Sequence, residues 1–150
     1  MKDTEMWAAY KKLDPQAKAY KSWAFGGNSE DMPDILAGLV RDSIKTATAS
    51  AYLCYVAENE PLPAVGEINI ILSKTGEAVC ATKTTKVYVT PFNKVTAEHA
   101  FKEGEDDRSL SFWRSCHKEV FTLEMNEIGK NFTEEMPVVC EEFEVVYPTE

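Results

Sequence analysis

The sequence predicts an α+β fold in which a small, strongly bent β-sheet, curled toward a barrel, is flanked by helices. Three observations carry this. Met32, Ile35, Leu36, Leu39 and Val40 recur at i, i+3, i+4, i+7 and i+8, which anchors one face of a helix in a core. Ile68, Ile70 and Leu72, then Lys74-Thr75-Gly76, then a β-rich run from Ala78 to Val89 spell a hairpin with a glycine-bearing turn. In the closing strand, from Val138 to Tyr147, Val138 and Cys140 occupy even positions whereas Phe143, Val145 and Tyr147 occupy odd ones. A β-bulge near Glu141 or Glu142 would reconcile the two phases, and bulges recur where sheets bend into barrels.

The other elements follow in order. Met6, Tyr10 and Leu13 fall at helical spacing with Trp7 beside them, and Asp14-Pro15 reads as the N-cap and first position of a second short helix. Trp23 and Phe25 come next, an aromatic pair before a glycine turn at Gly26-Gly27. Such rings plug a core or, beside a cleft, stack on a base or sugar. Asp31 and Pro33 open the patterned helix. It runs into Ser43-Ile44-Lys45-Thr46-Ala47-Thr48-Ala49-Ser50. In an extended run the side chains alternate, so Lys45 points away from Thr46 and Thr48 unless the backbone turns or bulges. The stretch is either an edge strand with hydroxyls on its wet face or a reactive site built on a lysine and two threonines.

Ala51 to Val56 suits a helical turn, and Glu58 to Pro63 a loop with two prolines. Pro91 stops the second strand of the hairpin, and Thr96 caps a short helix containing His99, Ala100 and Phe101. Lys102 to Arg108 reads as a solvated acidic loop whose spacing fits no calcium-binding EF-hand. Ser109 caps a longer helix with Leu110, Trp113, Cys116, Val120 and Leu123 on one side, ended by Gly129. Arg114 and His117 lie on its flank, where a lone histidine is more often packing than catalysis, although it can titrate near neutrality.

Composition narrows the function. At 150 residues the chain suits one domain with a continuous core. Its 25 acidic residues against 16 basic give a net charge of −9, and binding a phosphate backbone by charge needs the opposite sign or a basic stripe. Lys11, Lys12, Lys18 and Lys21 read as solvated helix faces rather than such a stripe. DNA is therefore not an expected partner, while a small neutral ligand is compatible. The sequence has no apolar run of about 18 residues and no leader pattern, so no membrane partner is expected and the cytoplasm is the expected compartment. Cys54, Cys80, Cys116 and Cys140 form no close C-x-x-C pair and read as buried thiols in a reducing compartment. With two histidines, His99 and His117, a histidine-rich metal centre is not expected. Chemistry without cofactor or metal, or no chemistry, is what remains.

The ordered motifs resemble the ASCH family of the PUA-like β-barrel superfamily. They are Asp34-Ile35-Leu36-Ala37-Gly38 before Lys45-Thr46-Ala47-Thr48, Glu60-Pro61-Leu62-Pro63-Ala64-Val65-Gly66-Glu67, His99-Ala100-Phe101-Lys102-Glu103-Gly104-Glu105, Asp107-Arg108-Ser109-Leu110, Phe112-Trp113-Arg114, and Val139-Cys140-Glu141-Glu142-Phe143. The resemblance implies a helical extension over residues 1–19 and a PUA-like ASCH domain over 20–150, of the stand-alone bacterial kind. It further implies RNA or nucleotide binding in a cleft between barrel and helices. One bacterial branch is similar to an amidohydrolase that removes the acetyl group of N4-acetylcytidine, and some members are linked to ribonuclease activity. By that resemblance Lys45, Thr48 and Glu103 are the catalytic residues. Trp23, Phe25, Thr46, Ser50 and Arg108 are the expected substrate-binding residues. The family motif K-x-x-T-x-R ends here in Ser50, which removes a fork-shaped cation that Arg108 or Arg114 would have to replace.

In the implied mechanism Thr48 Oγ attacks the amide, Lys45 takes its proton and Glu103 passes a proton to the exocyclic nitrogen. A lysine with a reference pKa of about 10.4 acts as a base near neutrality only at a cost of about 4 kcal/mol. Either Lys45 is neutral because Glu103 is protonated or distant, or it stays charged and stabilises the oxyanion. In the competing class, an RNA-binding module, Lys45 holds a phosphate, Thr46, Thr48 and Ser50 donate hydrogen bonds, and Trp23 or Phe25 stacks a base.

Overall fold

A computed structural model describes residues 1–26 and 29–149; Gly27, half of the expected glycine turn, lies outside the described residues. Met6 and Tyr10 bury one side of α1 (Asp3–Leu13). The expected second helix does not form. Asp14 instead closes α1, its N–H donating to Tyr10 O at 3.0 Å and its carboxylate accepting from the Tyr10 hydroxyl and from Gln16 N. Tyr20 folds back onto Trp7 with ring centroids 4.9 Å apart, and the chain then extends as β1 (Lys21–Ala24), which carries Trp23. Alternation over four residues is too short to mark such a strand in sequence.

The patterned helix is present as α2 (Met32–Arg41), with Leu36, Ala37 and Val40 buried. Ile35, expected on the core face, is 53% exposed, because Ala37 takes the inward position beside Leu36. After a turn with Ser43 at φ +60°, the chain forms β2 (Ala47–Ala51) and then α3 (Tyr52–Glu58). β3 (Ile68–Leu72) and β4 (Ala78–Pro91) make the expected hairpin. α4 (Ala97–Glu103) and α5 (Leu110–Glu127) follow, capped as expected by the hydroxyls of Thr96 and Ser109, before β5 (Pro137–Tyr147).

The strands form one mixed sheet in the order β1-β3-β4-β5-β2, parallel only between β1 and β3, bent into a half-barrel. Its bends sit at register shifts that leave Val79 and Thr85 of β4, and Val146 of β5, without a partner. The phase change in β5 is real, but no residue is inserted at Glu141 or Glu142. Val138 and Cys140 face one core, with Trp113, Phe121 and Met125, whereas Phe143 and Val145 face another, with Ala37, Val40 and Ile71. One strand serves two cores on opposite faces. A third cluster, Met6 with Ile70 and Ala81, seats α1 on the sheet.

The long helix is also rotated from expectation. Its inward stripe is Trp113, His117, Phe121 and Met125, at strict i+4 spacing, while Leu123 is 57% exposed. His117 therefore lies within the inward face, not on a flank. All four cysteines are free; Cys80 and Cys140 are buried, whereas Cys54 and Cys116 are only half-buried.

Candidate functional site

The segment that leaves α2 is pinned before it becomes β2. Ile44 N and Lys45 N both donate to Leu39 O, at 2.9 and 3.0 Å, and Thr46 N donates to Lys102 O at 2.7 Å. Its close approach to the end of α4 depends on Gly104, at φ +72°. A Cβ there would lie 2.5 Å from Ile44 O and 3.0 Å from Lys45 Cα, so glycine is required. This crossing carries Lys45 into the interior, where its side chain is 1% exposed.

The ammonium of Lys45 donates to Glu105 Oε2 at 2.9 Å, Glu103 Oε1 at 3.3 Å and Glu103 O at 3.4 Å. The acidic segment is thus not simply solvated: Glu103 is 2% exposed and Glu105 half-buried. Glu103 Oε2 accepts from Trp113 Nε1 at 2.6 Å and pairs with His99 Nε2 at 2.7 Å. Burial pushes this carboxyl up, but the Lys45 charge, the His99 hydrogen bond and His117 pull it further down, to about 2. Glu103 is therefore an ionised acceptor in contact with Lys45, and the alternative in which it is protonated or distant does not hold.

His117 stacks on Trp113, with centroids 4.2 Å apart and planes 16° apart. Its Nδ1 lies 2.9 Å from Trp113 O and its Nε2 3.6 Å from Glu103 Oε1. A carbonyl only accepts, so Nδ1 carries the hydrogen.

A cleft of about 510 Å³ opens over this centre, lined by Phe25, Lys45, Thr48, Ser50, Glu103 and His117 among others. A second, of about 920 Å³, adjoins it across Thr48–Ser50 and Phe25 and contains Trp23, Tyr55, Asn69 and Glu141. Both volumes suit a small organic ligand. Phe25 spans the two, with Lys45 Nζ 5.5 Å from its ring centroid, and meets Trp23 edge to face at 4.7 Å. Trp23 is held by donation to Asn69 Oδ1 at 2.8 Å. Burial raises the carboxyl of Glu141, which accepts from Thr84 Oγ1 at 2.8 Å.

Of the expected residues, Lys45, Thr48, Glu103, Phe25 and Ser50 thus line one cleft, and Trp23 lines its neighbour. Two do not reach either. Thr46 ties β2 to α4 and β5, through Lys102 O and Phe143 N. Arg108 donates to Phe101 O and Ile44 O and stacks on the Phe101 ring at 3.7 Å, which spends its guanidinium on the outer wall. Arg114 donates to Asn93 O, so neither arginine replaces the one missing at Ser50. That position is filled by a 2.8 Å hydrogen bond between Ser50 Oγ and Tyr55 OH. Sequence reasoning missed Glu105 and the place of His117; the i+4 run from Trp113 to Met125 was the available sign of the latter. Among the described residues no group of three or more His, Cys, Asp or Glu side chains is placed to hold a metal ion, and no helix is long and apolar enough to cross a membrane.

A family model described as ASCH domain matches residues 21–147. The chain is similar to the crystal structure of an ASCH domain from Lactobacillus crispatus, with a TM-score of 0.90, 28% identity, and coverage of 96% of this chain and 93% of that one. It is also similar to the crystal structure of an Enterococcus faecalis protein, with a TM-score of 0.86, 32% identity, and coverage of 95% and 86%. No curated protein matches the chain.

Proposed function

This chain belongs to the ASCH domain family, whose members are generally thought to bind RNA, and on that footing we propose that it hydrolyses the amide of a neutral acylated nucleoside of the N4-acetylcytidine type. The observation that carries the reading is the convergence of Lys45, Thr48 and Glu103 on one cleft beneath Phe25. Thr48 Oγ is the nucleophile. Lys45, paired with two carboxylates, acts as an ammonium that stabilises the developing oxyanion, which displaces its longest contact, the one at 3.4 Å to Glu103 O. Glu103 holds that ammonium in place. Phe25 and Trp23 offer faces for the base, and Ser50 and Tyr55 hydroxyls for its polar edge.

The test is release of cytidine from N4-acetylcytidine by the purified protein, followed by chromatography. The expected outcome is turnover by the wild type and its loss, by about 100-fold or more, in Lys45→Ala and Thr48→Ala. A folded wild-type protein that releases no cytidine would refute the reaction. The family's association with RNA supplies a second reading, binding without chemistry. Its mark would be an RNA affinity that falls steeply with added salt.

A further inference from the structure

The proposed reaction lacks a proton acceptor. Lys45 is paired with Glu103 and Glu105. Glu103, held at about 2, is a weak base, and its oxygens already serve Lys45, His99 and Trp113. Glu124 also lines the cleft, but it lies seven residues beyond His117 on α5, about 10 Å along the axis. Glu127 lies further still along α5, and among the residues that line the cleft His117 offers a basic ring atom, Nε2. Because Nδ1 donates to Trp113 O, the neutral ring presents a lone pair at Nε2. Stacking on Trp113 fixes the ring with Nε2 3.6 Å from Glu103 Oε1, on the cleft that Thr48 also lines.

The same ring borders a second space. Between α4 and α5 lies a cavity of about 10 Å³, lined by Glu103, Glu105, Ser109, Trp113 and His117 among others, and both it and the main cleft share Glu103, Glu105 and His117. That is room for roughly one water molecule, among polar partners.

We propose that His117 is the catalytic base of this site, accepting a proton from the attacking hydroxyl and then from the water that completes hydrolysis. The inference rests on the amidohydrolase reading. In the first half-reaction the bond from Thr48 Oγ to the acyl carbon forms, the hydroxyl proton moves to Nε2, and that proton passes to the exocyclic nitrogen as the C–N bond breaks. In the second, water bonds to the acyl carbon, its proton moves to Nε2, and the ester bond breaks as Thr48 Oγ takes that proton back. The products are a carboxylic acid and an amine, with water the only co-reactant.

The charged groups that face this ring are Glu103 from α4, Glu105 from the loop beyond it and Lys45 from the segment before β2, with Glu124 and Glu127 further along α5. Its helix neighbours are engaged elsewhere, Arg114 with Asn93 O and Lys118 over the Phe132 ring.

Two measurements on the full chain test the inference. In nitrogen-15 NMR of the histidine rings at neutral pH, His117 is expected to carry hydrogen on Nδ1 alone; a ring protonated on Nε2 would overturn the proposal whatever the activity. In turnover of N4-acetylcytidine, His117→Gln is expected to lower kcat by about 100-fold or more and to change KM by less than about threefold. Added imidazole should restore part of the rate to His117→Gly, which a merely structural role would not allow. An active wild type whose His117→Gln variant keeps its rate would sink the base and leave the amidohydrolase reading standing. A wild type without turnover would remove both.

Discussion

Acid should enter the core of this protein through Glu103. Its carboxyl lies near 2 in the folded chain against an ordinary 4.5. Between those values the unfolded chain binds a proton that the folded chain refuses, so stability is fully present above the window and falls as pH falls through it. The shift is worth about 3 kcal/mol, a sizeable part of a typical folding free energy of about 5–15 kcal/mol. Glu103→Gln keeps the shape and removes the charge. At pH 7 it leaves the buried Lys45 with Glu105 as its one carboxylate partner among the described residues, at a cost of about 3–5 kcal/mol. Urea denaturation of both proteins from pH 7 down to about pH 3.5 reads the difference. The wild type should lose roughly 1 kcal/mol more than the variant between about pH 6 and pH 3.5, so the gap narrows. Glu124 and Glu141, whose carboxyls burial pushes up, act with the opposite sign in both proteins and cancel. Parallel curves would refute the assignment of an ionised, charge-paired Glu103.

Further outcomes follow from the same geometry. Gly104→Ala should cost at least about 2 kcal/mol in chemical denaturation, because its Cβ would meet Ile44 O at 2.5 Å in a left-handed conformation; it should also displace Lys45 and reduce turnover. A maleimide should label Cys54 and Cys116 of the folded protein faster than Cys80 and Cys140, whose thiols burial pushes up to about 12, and full labelling should require denaturant. Phe25→Ala should weaken nucleoside binding about tenfold by calorimetry, the loss of one stacking face, with a smaller effect on kcat.

The helices with a strong apolar stripe and the hairpin were legible in sequence because their periodicity is local. β1 was not, since four residues between Tyr20 and Phe25 carry too little alternation, and Asp14-Pro15 serves the end of one helix as readily as the start of another. The doubled phase of β5 was visible, but its cause was not: the strand turns one face to the core of Trp113 and Phe121 and the other to that of Ala37 and Ile71, partners that sequence alone does not place on opposite sides of it. At the site, Lys45, Thr48 and Glu103 were named through resemblance, whereas their meeting spans 58 positions and depends on a glycine pressed against Ile44. No periodicity encodes such a contact. Glu105 was hidden for the opposite reason, since it lies in a run of charges whose usual fate is solvent.

The charge of the clefts bears on what enters them. Lys45 is the one lysine or arginine lining the first cleft among the described residues; it contacts Glu103 and Glu105, and Glu124 and Glu127 line the same cleft. In the second, Lys21 is bridged to Glu67 at 3.1 Å, while Glu60 and Glu141 have no cation in contact among the described residues. A phosphate brought to Lys45 would have to displace a carboxylate from a buried ammonium and remain close to it, and like charges at a few ångströms in a partly desolvated site repel by several kcal/mol. A carbonyl that becomes an oxyanion only in the transition state needs no such exchange in the ground state. It borrows the ammonium for the moment at which charge develops. The same carboxylates that discourage a polyanion do not oppose a neutral nucleoside in its ground state, and Lys45 must offset their repulsion of the oxyanion as it forms, which is the role the proposed reaction gives it.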